Sequence, residues 1–210
     1  MSQLEYLIAL ISIIIGLGLT DLARSLRDLI RPGRPVRWHW LPLTWTAIVF
    51  MLVVQLWWNS FEVLQRDLFA DAVAFLPFLL MFLVLYLACS FALPDPGWEE
   101  TGPSDANHSS NAPLDLEIFY FSASHRRGFF GTMVGLLALA QLISISFPLL
   151  EGTSPGAPGN IAVNVGTNVG ALVLFAGLIV TDRWWYHAGV TVLALAAVAA
   201  TLAVGIPPLQ

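Results

Sequence analysis

The residues most able to do chemistry in this chain are amides and hydroxyls set into apolar surroundings. In "NIAVNVGTNVG", Asn160 to Gly170, asparagine recurs at every fourth position. A helix turns about 100° per residue, so Asn160, Asn164, Thr167 and Asn168 share one face about 100° wide. Gly159, Gly166, Gly170 and Gly177 fall on a second face, and Val165, Val169, Leu172, Ala176 and Ile179 on a third. Near the N-terminus Glu5 and Ser12 belong to a mixed polar and small stripe that ends at Arg27. Farther on, Gln55 and Asn59 share one side of an apolar segment with Thr44 and Glu62. Such groups can coordinate a small solute or ion. They can also simply hydrogen-bond between membrane helices, for about 0.6 kcal/mol each.

The chain contains no G-x-S-x-G, H-E-x-x-H, phosphate-loop or dinucleotide-binding pattern. No Asp, Glu, Arg or His falls near the middle of an apolar run, which argues against a buried proton relay or a haem held by paired histidines. His39, His125 and His187 map to one interface and His108 to a loop. Their spacing fits no metal motif, so neither metal nor cofactor is expected. The single cysteine, Cys89, reads as a small apolar side chain in a helix.

The elements that must position these groups follow from composition. The chain has 210 residues, 57% hydrophobic and 11% charged, with a mean hydropathy of +0.76. Soluble domains carry about 25% charged residues. Too little charge is left to cover a water-facing surface. The expected fold class is therefore all-α: a single membrane domain over 1–210, built as a bundle of six transmembrane helices with no soluble domain. The spans are placed at about 5–22, 39–61, 72–93, 129–150, 161–181 and 185–206, from the roughly 20 apolar residues needed to cross hydrocarbon. The first is read as a retained span, because no basic region precedes it and no small-residue cleavage site follows it.

Arginine bias sets the expected orientation. Eight of the nine cations, all arginine, fall in loops on one side: Arg24, Arg27, Arg31, Arg34, Arg37, Arg126, Arg127 and Arg183. Arg66 alone falls on the other. This places both termini in the periplasm of a bacterial inner membrane. Trp38, Trp40, Trp184 and Trp185 mark the inner interface, and Trp57 and Trp58 the outer one, as an aromatic belt. Arg24, Arg27, Arg31, Arg34 and Arg37 continue the first helix as a stem able to meet lipid headgroups. Segment 94–127 reads as a flexible cytoplasmic loop followed by an aromatic piece lying along the interface.

Combining depth with face, Glu5, Ser12, Gln55, Asn59, Asn164, Thr167 and Asn168 all lie in the outer half or at the outer rim. They are expected to line an outward-facing polar cleft for a small solute or ion, in a channel, carrier or binding protein without enzymatic activity. The alternative is a scaffold or assembly subunit acting through the arginine stem and segment 94–127. A membrane enzyme ranks third. Gly131 and Gly135 on the fourth span, and Gly159, Gly166, Gly170 and Gly177 on the fifth, are expected to be helix-packing residues, the two small faces meeting each other. Membrane lipids, a second copy or another membrane protein are the expected partners. Nucleic acid is not, since no basic stripe with interleaved aromatics exists.

Overall fold

A computed structural model describes residues 3–31, 35–64, 72–95, 98, 113–150 and 158–205, without the side chains of 3–4, 62, 72–74, 148–150, 158–164 and 204–205. It is all-α apart from one two-residue strand pair. Six long helices stand where apolar runs occur: α1 Gln3–Ile30, α2 Trp40–Leu64, α3 Ala72–Phe91, then, after two short helices (α4 Leu116–Phe121 and α5 Ala123–His125), α6 Gly131–Leu150, α7 Pro158–Val180 and α8 Trp184–Gly205. Four stretches are long and apolar enough to cross a membrane: Glu5–Ile30, Trp40–Phe61, Ala123–Phe147 and Trp184–Ala203. The described apolar stretches of the other two, Phe75–Phe91 and Val165–Val180, are shorter.

The outer surface of the bundle is as apolar as its interior. Leu10, Ile13 and Leu17 of α1, Leu76, Leu80, Leu83 and Leu87 of α3, and Val192 and Leu193 of α8 are all exposed. A water-soluble bundle would hide such contiguous faces. In hydrocarbon they need no cover. Trp38, Trp40, Trp184 and Trp185 are exposed at one end of the bundle, and Trp58 near the other. The first of these ends carries most of the arginines and is called here the basic end.

Helix order in space follows from side-chain size. α1 packs on α3 and α2, α3 on α6, α6 on α7, and α2 on α8. Gly18 lets α1 approach α3: a Cβ there would lie 3.3 Å from the Cys89 Sγ and 3.6 Å from the Tyr86 Cα. Beside it the Ser90 hydroxyl donates to the Asp21 carboxylate, joining the same two helices. Along α1 one ion pair forms among the described residues, Arg27 with Asp28 at 2.9 Å.

The glycine face of α7 departs from expectation. α6 and α7 do pack together, but through amides rather than glycines, the Asn168 Nδ2–H donating to Gln141 Oε1. Gly166 and Gly170 lie roughly 160–200° around the helix from Asn168 and therefore point away from α6. A Cβ at Gly131, Gly166 or Gly170 would meet nothing within 4 Å, and one at Gly135 would only touch Val84 of α3 at 3.9 Å. The small faces of the two helices do not meet. The surroundings of Gly159 lie outside the described residues. Gly177 is different: a Cβ there would collide with the Tyr186 phenol, whose hydroxyl donates to the Leu174 carbonyl at 2.9 Å.

Replacing Gly177 by Val should therefore push Tyr186 out of the α7–α8 junction. The expected loss is about 1–3 kcal/mol, the usual cost of overpacking. Gly170→Val should leave the isolated monomer within about 0.5 kcal/mol of wild type, as expected for an open position. Melting temperatures of the two variants in monodisperse detergent solution check the contrast.

Candidate functional site

Segment 113–130 runs into the bundle instead of lying along its surface, and it builds the most polar buried site among the described residues. It starts with a strand pair: β1, Val36–Arg37, lies parallel to β2, Leu114–Asp115. Asp115 then caps α4, accepting from the backbone N–H groups of Glu117 at 2.9 Å and Ile118 at 3.3 Å. Its other carboxylate oxygen accepts from Arg37 Nη1 at 3.2 Å. A small apolar cluster of Leu29, Leu93, Leu114 and Leu116, with Val36 and Trp98 against it, fixes this cap to the ends of α1 and α3. Leu116, Phe119 and Tyr120 are buried because α4 turns one whole face into the bundle. That is why the expected interfacial piece is an insertion: its aromatic residues find partners between helices, not at a lipid boundary.

After α5 the chain forms a π-helix, Arg126–Phe130, leading into α6. The wider turn accommodates a locally inserted residue. It allows neighbouring Phe129 and Phe130 both to be fully buried. Both rings meet Trp45 edge-on, with centroids 5.7 Å and 5.2 Å away. Phe175 of α7 closes a third side at 5.5 Å. His125 stacks on Phe129 at 5.3 Å with an 8° tilt.

The polar groups inside this aromatic shell form a chain with a definite direction. The Thr181 carbonyl can only accept, so His187 Nε2, 2.9 Å away, carries a hydrogen. In the neutral imidazole Nδ1 is then an acceptor. Tyr120 Oη, 3.0 Å from it, donates its hydrogen there. The same phenol oxygen accepts from Trp45 Nε1–H at 3.0 Å. The His187 carbonyl accepts from Thr191 Oγ1 at 2.7 Å, and the Thr181 carbonyl also accepts from Arg126 Nη1 at 2.5 Å. The sequence runs Trp45, Tyr120, His187, Thr181, Arg126. It joins α2, α4, α8, the α7–α8 turn and the π-helix. Burial pushes the Tyr120 phenol well above its usual range, an effect only partly offset by the hydrogen bond it accepts from Trp45.

The residues expected to line an outer cleft are distributed differently. Glu5, Asn59 and Thr167 are exposed, and Ser12, Gln55 and Asn168 half-buried. Asn168 is engaged by Gln141 of α6. Gln55 Oε1 accepts from Thr201 Oγ1 of α8 at 3.3 Å. These two bonds join different helix pairs, α6 with α7 and α2 with α8. The side chain of Asn164 lies outside the described residues. A small crevice between α1, α2 and α3 has no room for water and is lined by Ile14, Ile15, Gly18, Val53, Phe82, Leu85, Tyr86 and Cys89, none of them in the expected cleft. Of the stem arginines, Arg24 and Arg31 are exposed, Arg27 and Arg37 are ion-paired, and Arg34 lies outside the described residues. Among the described residues no three His, Cys, Asp or Glu side chains are placed to hold a metal ion.

Residue types alone gave little sign of the buried chain. His187 and Thr191 are four apart, one helical turn. Trp45 differs from the belt tryptophans in lying five residues inside α2. Neither clue reveals Tyr120 as the link, because that contact spans 75 positions to Trp45 and 67 to His187. No protein-family model, curated protein or solved structure matches this chain.

Tyr120→Phe leaves the Trp45 indole N–H and His187 Nδ1 without their common partner. The expected cost is about 1–3 kcal/mol, the penalty for stranding buried polar groups, read as a lower melting temperature with altered tryptophan emission. The raised phenol pKa also fixes a pH dependence. Its stabilising effect is complete below about pH 10, the unfolded value, and is lost as pH climbs toward the folded value. In an alkaline absorbance titration Tyr120 should ionise only with unfolding. Tyr120→Phe should remove that late component.

Proposed function

We propose that this chain is a six-span bacterial inner-membrane protein without enzymatic activity, and that it works as an assembly subunit, receiving a transmembrane helix of another subunit in a groove between α7 and α8. α3 and α7, whose described apolar stretches are shorter, complete the six spans. The arginine distribution supports a cytoplasmic basic end and periplasmic termini. The reading rests on one observation: among the described residues, nothing fills the glycine face of α7 at Gly166 and Gly170. α7 and α8 touch each other much less than either touches its other neighbour. They close at Tyr186 on Gly177, next to the turn. About 10 Å farther along, by seven residues of rise, Gly170 stands level with Leu193. Gly166 then stands level with Ala197. Gly166, Gly170, Gly189, Leu193 and Ala197 are all exposed, and a Cβ at any of these three glycines would meet nothing. Glycines four apart on an open face allow close approach of a further helix backbone in lipid.

This differs from a scaffold acting through segment 94–127, because residues 113–127 are taken up by the bundle. The second reading, binding of a small solute from outside, draws on Asn59 and Thr167, which keep polar side chains exposed on the far half of α2 and α7. It is weakened by the engagement of Gln55 and Asn168 in interhelical bonds.

Gly166→Leu with Gly170→Leu fills the groove without touching the fold. The wild-type chain, extracted in mild detergent, should carry a second copy or another helical subunit by native mass spectrometry. The double variant should express equally, with its assembled fraction reduced about tenfold or more, equivalent to about 1.4 kcal/mol. An unassembled wild type, or an assembly unchanged by the substitutions, would refute the reading. Asn59→Leu with Thr167→Val tests the solute reading in parallel, through loss of ligand-induced thermal stabilisation.

A further inference from the structure

Arg126 forms no ion pair among the described residues. It begins the π-helix, half-buried, and its Nη1 donates to the Thr181 carbonyl at 2.5 Å. Its Nε is buried and has no hydrogen-bond partner among the described residues. Among the described residues the ion pairs are Arg27 with Asp28 and Arg37 with Asp115, so no described carboxylate lies within 4.0 Å of the Arg126 guanidinium. The Thr181 carbonyl is already shared with His187 and cannot offset a whole charge. A partly desolvated guanidinium in this position calls for an anion.

More positive potential gathers at the same turn. Arg183 lies two residues beyond Thr181 and is exposed. α8 begins at Trp184 and directs the positive end of its dipole there. Asp182, also exposed, forms an ion pair with neither arginine among the described residues. The surroundings identify the source of the anion. Val180, Trp184 and Trp185 are exposed beside these charges, at 85%, 51% and 63%. Indoles on a helix end mark the level of lipid headgroups, and an exposed valine just above them faces acyl chain.

We propose that the α7–α8 turn binds the phosphate ester of an anionic phospholipid headgroup, held by Arg126 and Arg183. The planar guanidinium fork suits two phosphate oxygens at once. Basic pockets between helices at the cytoplasmic face are suited to such headgroups. The site stands independently of the assembly groove, since it uses the charges at the turn and not the glycine face.

The full-length protein in detergent provides the test, with phosphatidylglycerol, phosphatidylcholine and inorganic phosphate as probes. Phosphatidylglycerol should raise the melting temperature and remain bound in native mass spectrometry. Phosphatidylcholine should do neither, and inorganic phosphate at the same concentration should give no shift. Arg183→Ala should weaken phosphatidylglycerol binding about fivefold, the effect of one arginine near an anionic surface, while Arg183→Lys retains most of it. Arg126→Gln should weaken it further. Should that variant fail to fold through loss of its bond to Thr181, the Arg183 pair decides. Equal stabilisation by phosphatidylcholine, an equal shift from inorganic phosphate, or undiminished binding in Arg183→Ala would overturn the proposal.

Discussion

Tyr120 is the joint on which the basic end of the molecule depends. Its phenol oxygen accepts from Trp45 and donates to His187, so one atom satisfies two buried groups from helices far apart in sequence. An unpaired polar group in such surroundings costs about 1–3 kcal/mol, and each of these would be unpaired without the others. Alternative packings of α2 against α8 are excluded on that ground, whereas apolar contacts alone would tolerate many. The aromatic shell is the complement. Phe129, Phe130 and Phe175 exclude water from the hydrogen bonds, and the π-turn is what brings the first two to the same indole.

The two ends of the bundle are consequently built on different principles. At the basic end segment 113–130 folds back inside, and strand pair, capped helix and polar chain lock five elements together. Toward the opposite end helices are joined pairwise. Gln141 meets Asn168, and Gln55 meets Thr201, each bond holding only its own pair. The α7–α8 hairpin shows the gradient within one unit: closed where Tyr186 covers Gly177, open where Gly170 and Gly166 face outward. Strong anchoring at one end is what permits separation at the other.

Charge follows the same asymmetry. Arg37 is consumed by Asp115 and thereby supports the cap of α4. Arg126 is consumed only in part, by a carbonyl, and keeps its charge. A bundle with so few ionisable groups gives each of them weight, and Arg126, which has no ion pair among the described residues, lies against the turn that leads to the exposed tryptophans of α8.

Length, composition and periodicity by themselves determined the six helices and their apolar character, because about twenty apolar residues in a row leave the backbone few other ways to satisfy its hydrogen bonds in hydrocarbon. The same periodicity separated the amide and glycine faces of α7, since both follow from a 100° step. What each face meets was settled only by tertiary structure. Asn168 turned out to be bonded within the bundle and Gly166 and Gly170 to be facing out of it, a choice that depends on how α6 and α8 approach. Segment 113–127 read as interfacial because its aromatic content suits both a lipid boundary and a protein interior. The partners that decided between them, Trp45 and His187, lie 75 and 67 positions away, beyond the reach of any local pattern.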